Sequence, residues 1–224
     1  MFSNETKPII AIVGGTGKEG KGLALRWAKA GYKVIIGSRD YERAEKVKNE
    51  LNVLLNNPVI YADTNESAVE KAEVIVITVP YGAHRSILES LKERLRRKVI
   101  VDVTVPLIPP EITKVQMPID GSASQEALKI LGSGSRIISA FQNISYDLLM
   151  NNEEIQCDVF VCASDQEARM IGLTLVKDAG LTGWDAGPLE NSVIAEGLTS
   201  ILIGLNKKYG SKSAGIKITG IDRK

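Results

Sequence analysis

The stretch Pro8-Ile-Ile-Ala-Ile-Val-Gly-Gly-Thr-Gly-Lys-Glu-Gly20 carries the reading of the fold. A short apolar run, residues 8–13, ends in glycines. Residues 18–30 follow with helical periodicity through Leu23, Leu25, Trp27 and Ala28, and stop at Gly31. Gly15, Gly17 and Gly20 match G-x-G-x-x-G. In that pattern the first glycine permits a tight turn, the second lets the backbone approach a pyrophosphate, and the third allows close helix–strand packing. The helix N-terminus adds free N–H groups and the positive end of the helix dipole. The pattern is weak alone; after an apolar strand and at the opening of a helix it becomes specific for a dinucleotide. The same residues nearly spell a P-loop, since Gly15 is followed five residues on by Gly20-Lys21, and residues 99–102 resemble an apolar strand ending in a metal-binding Asp. But Gly22 stands where a P-loop needs Ser or Thr to ligate Mg²⁺, which argues against a nucleoside-triphosphate site.

Outward from this loop, strand and helix signals alternate. Residues 32–36 read as a strand, 41–55 as a charged amphipathic helix, 59–61 and 74–79 as strands, 83–95 as a helix and 99–103 as a strand. Continuous apolar strands alternating with helices predict a parallel, doubly wound α/β sheet of the Rossmann type, covered on both faces. Four prolines (Pro106, Pro109, Pro110, Pro118) loosen the pattern. A helix (124–131), strands (136–140 and 157–162), a helix (166–179), a strand (182–185), a long helix (190–207) and a last short strand (215–218) follow. The expected division is a dinucleotide-binding domain at residues 1–141 and a smaller C-terminal α/β domain at 142–224.

Composition sets outer limits. Apolar residues make up 44% and charged residues 25% of 224, enough for a sizeable core. The formal net charge of +1 supplies no global field for nucleic acid or an anionic membrane. The polar start, residues 1–7, lacks an apolar signal-peptide core, and no run reaches the ~18 apolar residues of a membrane span. Cys157 and Cys162 lie at an odd offset in one strand-like run, on opposite faces, and are expected as reduced, half-buried thiols of a cytoplasmic protein. With a single histidine, no metal site is expected.

The second strand selects the dinucleotide. NAD enzymes place an acidic residue at its end to bind the ribose 2′-hydroxyl. Here it ends Ile36-Gly-Ser-Arg39, so Ser38 can donate to a 2′-phosphate and Arg39 can pair with it, joined by Arg43 one turn on. Asp40 is the counter-signal; it reads as the N-cap of the next helix. The expected ligand is NADP. Loops after the later strands, at Pro80-Tyr81, Thr104-Val105-Pro106 and residues 142–146, are placed to meet the nicotinamide, with Val79 and Val105 supplying apolar walls. No tyrosine has Lys four residues later, which disfavours a short-chain dehydrogenase. His84 falls inside a helix and reads as a surface or packing residue. No catalytic acid or base is assigned: a hydride passing between two organic cofactors needs mainly stacking and orientation.

Several segments together resemble the F420H2:NADP oxidoreductases. They are Gly14-Gly-Thr-Gly-Lys-Glu-Gly-Lys-Gly-Leu-Ala24, Ile36-Gly-Ser-Arg39, Thr78-Val-Pro80, Ser139-Ala-Phe-Gln-Asn143, Cys157-Asp-Val-Phe-Val-Cys162, Asp185-Ala-Gly-Pro-Leu-Glu-Asn-Ser192 and Ala214-Gly-Ile-Lys-Ile218. The resemblance implies NADP contacts at Thr16, Gly17, Lys18, Glu19, Ser38, Arg39, Arg43, Val79, Ala83, Val105 and Tyr146. It implies a cleft for the deazaflavin coenzyme F420, floored by Gln142, Asn143 and Ile144 and by Gly197 and Thr199 of the last helix. It also implies reversible hydride transfer between deazaflavin C5 and nicotinamide C4, and a homodimer. One branch of the family has His at the position of Gln142, Pro at Ser145 and Ser at Gly197, so the deazaflavin side departs from that pattern. The rivals are an NADPH-dependent metal-chelate or flavin reductase and a non-enzymatic NADP(H) sensor. A sensor has no need of a second pocket built from residues 185–192.

Overall fold

A computed structural model describes residues 7–151 and 154–221; the polar start, apart from Lys7, lies outside them. Along the chain come β1 (Ile10–Val13), α1 (Lys18–Lys29), β2 (Val34–Ser38), α2 (Tyr41–Leu55), β3 (Ile60–Thr64), α3 (Asn65–Lys71), β4 (Val74–Ile77), α4 (Tyr81–Leu95) and β5 (Val99–Asp102). Then follow α5 (Ala123–Leu131), β6 (Arg136–Ser139), α6 (Tyr146–Met150), β7 (Asp158–Ala163), α7 (Gln166–Asp178), β8 (Thr182–Pro188) and, after a 3₁₀ turn, α8 (Ser192–Tyr209). Among the described residues the strands form one sheet in the order β3-β2-β1-β4-β5-β6-β7-β8.

The first six strands are parallel in the doubly wound order, the Rossmann arrangement that the apolar runs predict. Every residue of β1, β4 and β5 is buried, because helices cover both faces. Alternation divides the strands between two cores: Ile10 and Ile12 pack on one face, Ala11 and Val13 on the other. The chain order reverses beside β1, and the crevice this leaves outside the strands' carboxyl ends is where such sheets bind ligands.

The C-terminal segment continues the same sheet. β7 pairs antiparallel with β6 through Ile138 and Ala163, and β8 runs parallel to β7. Trp27 of α1 reaches across to it, its indole donating to the Leu175 carbonyl at 2.9 Å and meeting Phe141 edge-on at 5.5 Å.

Several elements differ from the sequence expectation. α3 and α6 have five to seven residues, too few for a periodicity signal; α3 is started by Thr64, whose hydroxyl accepts from the Ser67 amide. The strand expected at residues 215–218 does not form; that segment meets β7 through two bonds at Asp158, the amide donating to the Ile216 carbonyl and Oδ2 accepting from the Ile218 amide. β2 starts two residues later than predicted and runs to Ser38. Tyr32 is buried outside it, with its hydroxyl donating to Asp178. Cys157 and Cys162 are both buried and free. No helix of the described residues is long and apolar enough to cross a membrane, and among them no three His, Cys, Asp or Glu side chains are placed to hold a metal ion.

Candidate functional site

A cavity of about 1450 Å³ opens at the carboxyl ends of β1, β2, β4, β5 and β6. One wall is the glycine loop. Gly14 adopts φ +75°, a left-handed conformation suited to glycine, and turns the chain out of β1. A side chain on it would also strike Val79, at 2.8 Å from Cγ1. Gly17 is the N-cap of α1 and offers no side-chain cap. Its own amide donates to the Gly14 carbonyl at 3.1 Å, but the Lys18 and Glu19 amides, which the helix does not satisfy internally, are left for a ligand where residues 16–19 line the cavity. This anion cradle fits a pyrophosphate.

Two of the predicted glycines serve differently. Gly15 and Gly20 do not line the cavity; they pack on each other. A Cβ on Gly20 would lie 2.7 Å from Gly15 Cα, and the Gly15 amide is taken by the carbonyls of Ile12 and Gly37. They hold helix against strand rather than touch a ligand. Gly22, which breaks the P-loop pattern, abuts α6, where a Cβ would lie 2.6 Å from that of Leu149. Lys21 turns away from the loop and pairs with Glu50 at 2.7 Å.

Glu19 faces the same wall. One of its carboxyl oxygens is buried without a partner, and burial pushes its pKa up to about 8. Lys18 donates to the Tyr146 hydroxyl at 2.7 Å, which raises its pKa and joins the glycine loop to α6 across the mouth of the cavity.

At the end of β2, Ser38, Arg39, Asp40 and Arg43 line one lobe. Asp40 is the N-cap of α2, accepting from the Glu42 and Arg43 amides. The Ser38 hydroxyl oxygen accepts from the Asp40 amide at 3.1 Å and keeps its own hydrogen to donate. Asp40 Oδ1 is committed to the helix and Oδ2 lies 3.5 Å from Arg43 Nε, so the lobe keeps the Arg39 guanidinium, the remaining Arg43 donors and a hydroxyl, groups suited to a phosphate.

The opposite wall comes from residues 141–146 and α8. Phe141 has φ +73° and is buried, which turns the chain sharply after β6. Gln142 is then held on three sides. Its side-chain nitrogen donates to the Asp102 carbonyl and to the Ser139 hydroxyl, each at 2.8 Å, and its own carbonyl accepts from the Thr199 hydroxyl at 2.8 Å. The remaining side-chain oxygen, buried and without a partner, is an acceptor available to a ring N–H. Asn143 also lines the cavity, but its amide nitrogen is spent on the Asp158 carbonyl at 2.7 Å. Ile144, Val79, Ala83 and Val105 complete the apolar surfaces.

Most of the predicted site residues thus come together; Gly197 does not. It is buried against Val115, 3.3 Å from where its Cβ would lie, outside the cavity lining. Sequence reasoning overlooked Asn65, whose side chain accepts from the Gly14 amide at 3.3 Å. It also overlooked Leu202, Ile203 and Asn206, which share the Thr199 face of α8. Helical spacing from Thr199 was the available signal for these three; for Asn65 there was none, since it stands in a helix too short to read. Also missed was a buried acidic cluster behind the cavity: His84, Asp102, Glu126 and Glu196, all buried.

Comparison with known proteins agrees with this geometry. Residues 9–106 match the family model described as NADP oxidoreductase coenzyme F420-dependent. The chain is 39% identical over 222 residues to the F420-dependent NADP reductase of Methanocaldococcus jannaschii, covering 95% of this chain and 99% of that one. It is 38% identical over 220 residues to the F420-dependent NADP reductase of Methanothermobacter thermautotrophicus, covering 95% of each. A solved chain from Arthrobacter sp. FB24 superposes with a TM-score of 0.77 at 20% identity, over 95% of this chain and 99% of that one, a likeness of fold. The glycine cradle, the Ser38–Arg39 lobe and the opposite wall formed by residues 141–146 and α8 are thus found in a chain that belongs to the F420-dependent NADP oxidoreductase family.

Proposed function

We propose that this protein transfers a hydride reversibly between NADP(H) and the deazaflavin coenzyme F420, with both molecules in the one cavity. The observation that carries the reading is the pairing of an anion cradle and a phosphate lobe on one wall with an unpartnered buried acceptor, Gln142 Oε1, on the other.

The chain's part is binding and orientation. The amides of Thr16, Lys18 and Glu19 hold the pyrophosphate, and Ser38, Arg39 and Arg43 hold the 2′-phosphate. Val79, Ala83 and Val105 support the nicotinamide, and Tyr146, tethered to Lys18, closes over it. Gln142 accepts from the deazaflavin ring, Ile144 gives it an apolar surface, and Asn143 keeps this wall in place through β7. Thr199 acts by fixing the Gln142 backbone. The two coenzymes supply the redox chemistry when bound, exchanging the hydride between C5 and C4. Residues 142–146 and α8 form the wall that completes the cleft.

A homodimer is the assembly we infer. Ile194, Ile201 and Leu205 are exposed along one face of α8, at spacings of seven and four residues, and a second copy would cover them. Two buried free thiols suit a reducing cytoplasm.

Anaerobic mixing of the protein with NADPH and oxidised F420 tests the reaction: the long-wavelength deazaflavin absorbance should bleach. Reduction of FMN or ferric chelates without bleaching would overturn the assignment in favour of another reductase.

A further inference from the structure

The buried cluster behind the cavity joins four elements. His84 is on α4, Asp102 ends β5, Glu126 is on α5 and Glu196 is on α8. Three carboxylates here face one imidazole and one guanidinium. Arg85 of α4 pairs with Glu126, and Tyr81 of the same helix stacks on His84 at 6.2 Å. Glu196 accepts from the Ala123 and Ser124 amides and from the Ser124 hydroxyl, capping α5.

The ring of His84 has a carboxylate at each nitrogen. Nε2 lies 2.8 Å from Asp102 Oδ2, and Nδ1 lies 3.8 Å from Glu126 Oε2 with no hydrogen-bond partner. A neutral ring would donate through Nε2 and turn the lone pair of Nδ1 toward a second carboxylate, an unfavourable contact in a buried place. The doubly protonated ring turns an N–H toward each. Burial lowers the pKa of this histidine, and Asp102, Glu126 and Glu196 together outweigh burial and raise it.

Asp102 is the link to the site. Its other carboxyl oxygen accepts from the Thr104 amide at 3.1 Å, and its carbonyl accepts from Gln142. Thr104 lines the cavity, and so does Ala83, next to His84 on α4. We propose that His84 is a positioning residue: as an imidazolium clamped between Asp102 and Glu126, it holds the Gln142 wall in register with the nicotinamide wall. This rests on the hydride-transfer reading for its consequence, though not for the state of the ring.

Because His84 is the chain's single histidine, ¹⁵N-histidine NMR on the intact protein reads it without assignment and without any acceptor. Both ring nitrogens should report a mostly protonated ring at pH 6.5, because the midpoint lies above the ordinary ~6.5, and Asp102→Asn should lower that midpoint. A wild-type midpoint below that value overturns the clamp, whatever the acceptor proves to be. Burial, with Asp102 beside it, pushes the Glu196 carboxyl up to about 7, so the ring itself must be observed.

The kinetic arm uses His84→Gln, which keeps a donor toward Asp102 but cannot titrate. Its kcat with NADPH and F420 should be about tenfold below wild type at pH 6.5, an effect of misplacement, with KM for NADPH within about twofold. The ratio should close above the histidine midpoint, where the wild-type clamp is also lost. pH dependence belonging to the substrates is common to both proteins and cancels. Superimposable profiles, or a constant ratio at every pH, would overturn the positioning role while leaving the F420 reaction itself intact.

Discussion

The two walls of the cleft are made of different material. On the β1–β2 side, ligand-facing groups are backbone amides and side chains from two short segments, residues 14–19 and 38–43. On the α8 side, Gln142 depends on Asp102, Ser139 and Thr199, and so on residues up to 57 positions away. Local geometry builds the first wall; tertiary contacts build the second. The walls meet at α1, where Gly22 abuts Leu149, and Arg26 donates to the carbonyls of Leu148, Leu149 and Asn151. A helix whose start cradles the dinucleotide thus also clamps the helix that carries Tyr146. This teaches that a nucleotide-binding motif can be complete in sequence while its reaction partner's pocket exists only in the folded chain.

The contrast can be broken most severely at Gly20. Gly20→Ala places a Cβ against Gly15 Cα and should destabilise the fold by about 1–3 kcal/mol. A lowered thermal midpoint and a large loss of NADPH affinity are expected together. An unchanged midpoint would mean that the loop is not held by this contact.

Arg39→Ala separates the phosphate lobe from the rest of the first wall. Loss of a charged hydrogen bond costs about 1.5–3 kcal/mol, so NADPH should bind roughly 10- to 100-fold more weakly in a fluorescence titration. NADH binding should hardly change. Equal losses for both would remove the 2′-phosphate assignment.

Gln142→Leu sharpens the comparison from the other side. It removes the unpartnered acceptor and should raise KM for F420 by about tenfold, with the Kd for NADPH within about twofold. If NADPH binding falls as much, the two walls are not separable.

The smallest effect concerns Glu19. Its folded pKa, about 8, stands above the ordinary carboxylate range, so folding favours the protonated form. Stability is therefore lost as pH rises from that range through about 8. Glu19→Gln should melt a few degrees above wild type at pH 9 and together with it at pH 4. The reverse order at pH 9 would show that the carboxylate is stabilised by the helix dipole instead.

Legibility in the sequence follows the same division. Long apolar strands, the glycine spacing and Asp40 as an N-cap could be read because each depends on neighbours within a few residues. Asp40 shows the value of a mechanistic reading: an acidic residue at the end of β2 would by position favour NAD, but one of its oxygens caps α2 and the other faces Arg43. The short α3 and α6 could not be read, since a helix of one or two turns has no periodicity to display. Gly197 lies outside the cavity lining, since resemblance carries a position but not the direction it faces; here it packs on Val115. His84 was legible only as a helical residue. Its three carboxylate neighbours come from α5, α8 and β5, which the chain order gives no reason to bring together.

The amino-acid sequence by itself determined the parallel sheet, the position of the dinucleotide loop and the preference for a 2′-phosphate. These follow from residue size, periodicity and charge over short spans, where chain connectivity limits the alternatives. Only the tertiary structure decided which groups remain free to act: that Gly15 and Gly20 are spent on packing, that Asn143 is spent on β7, and that Gln142 keeps one acceptor open. A polar group's availability depends on whether its partners are already taken, and those partners lie on distant strands and helices.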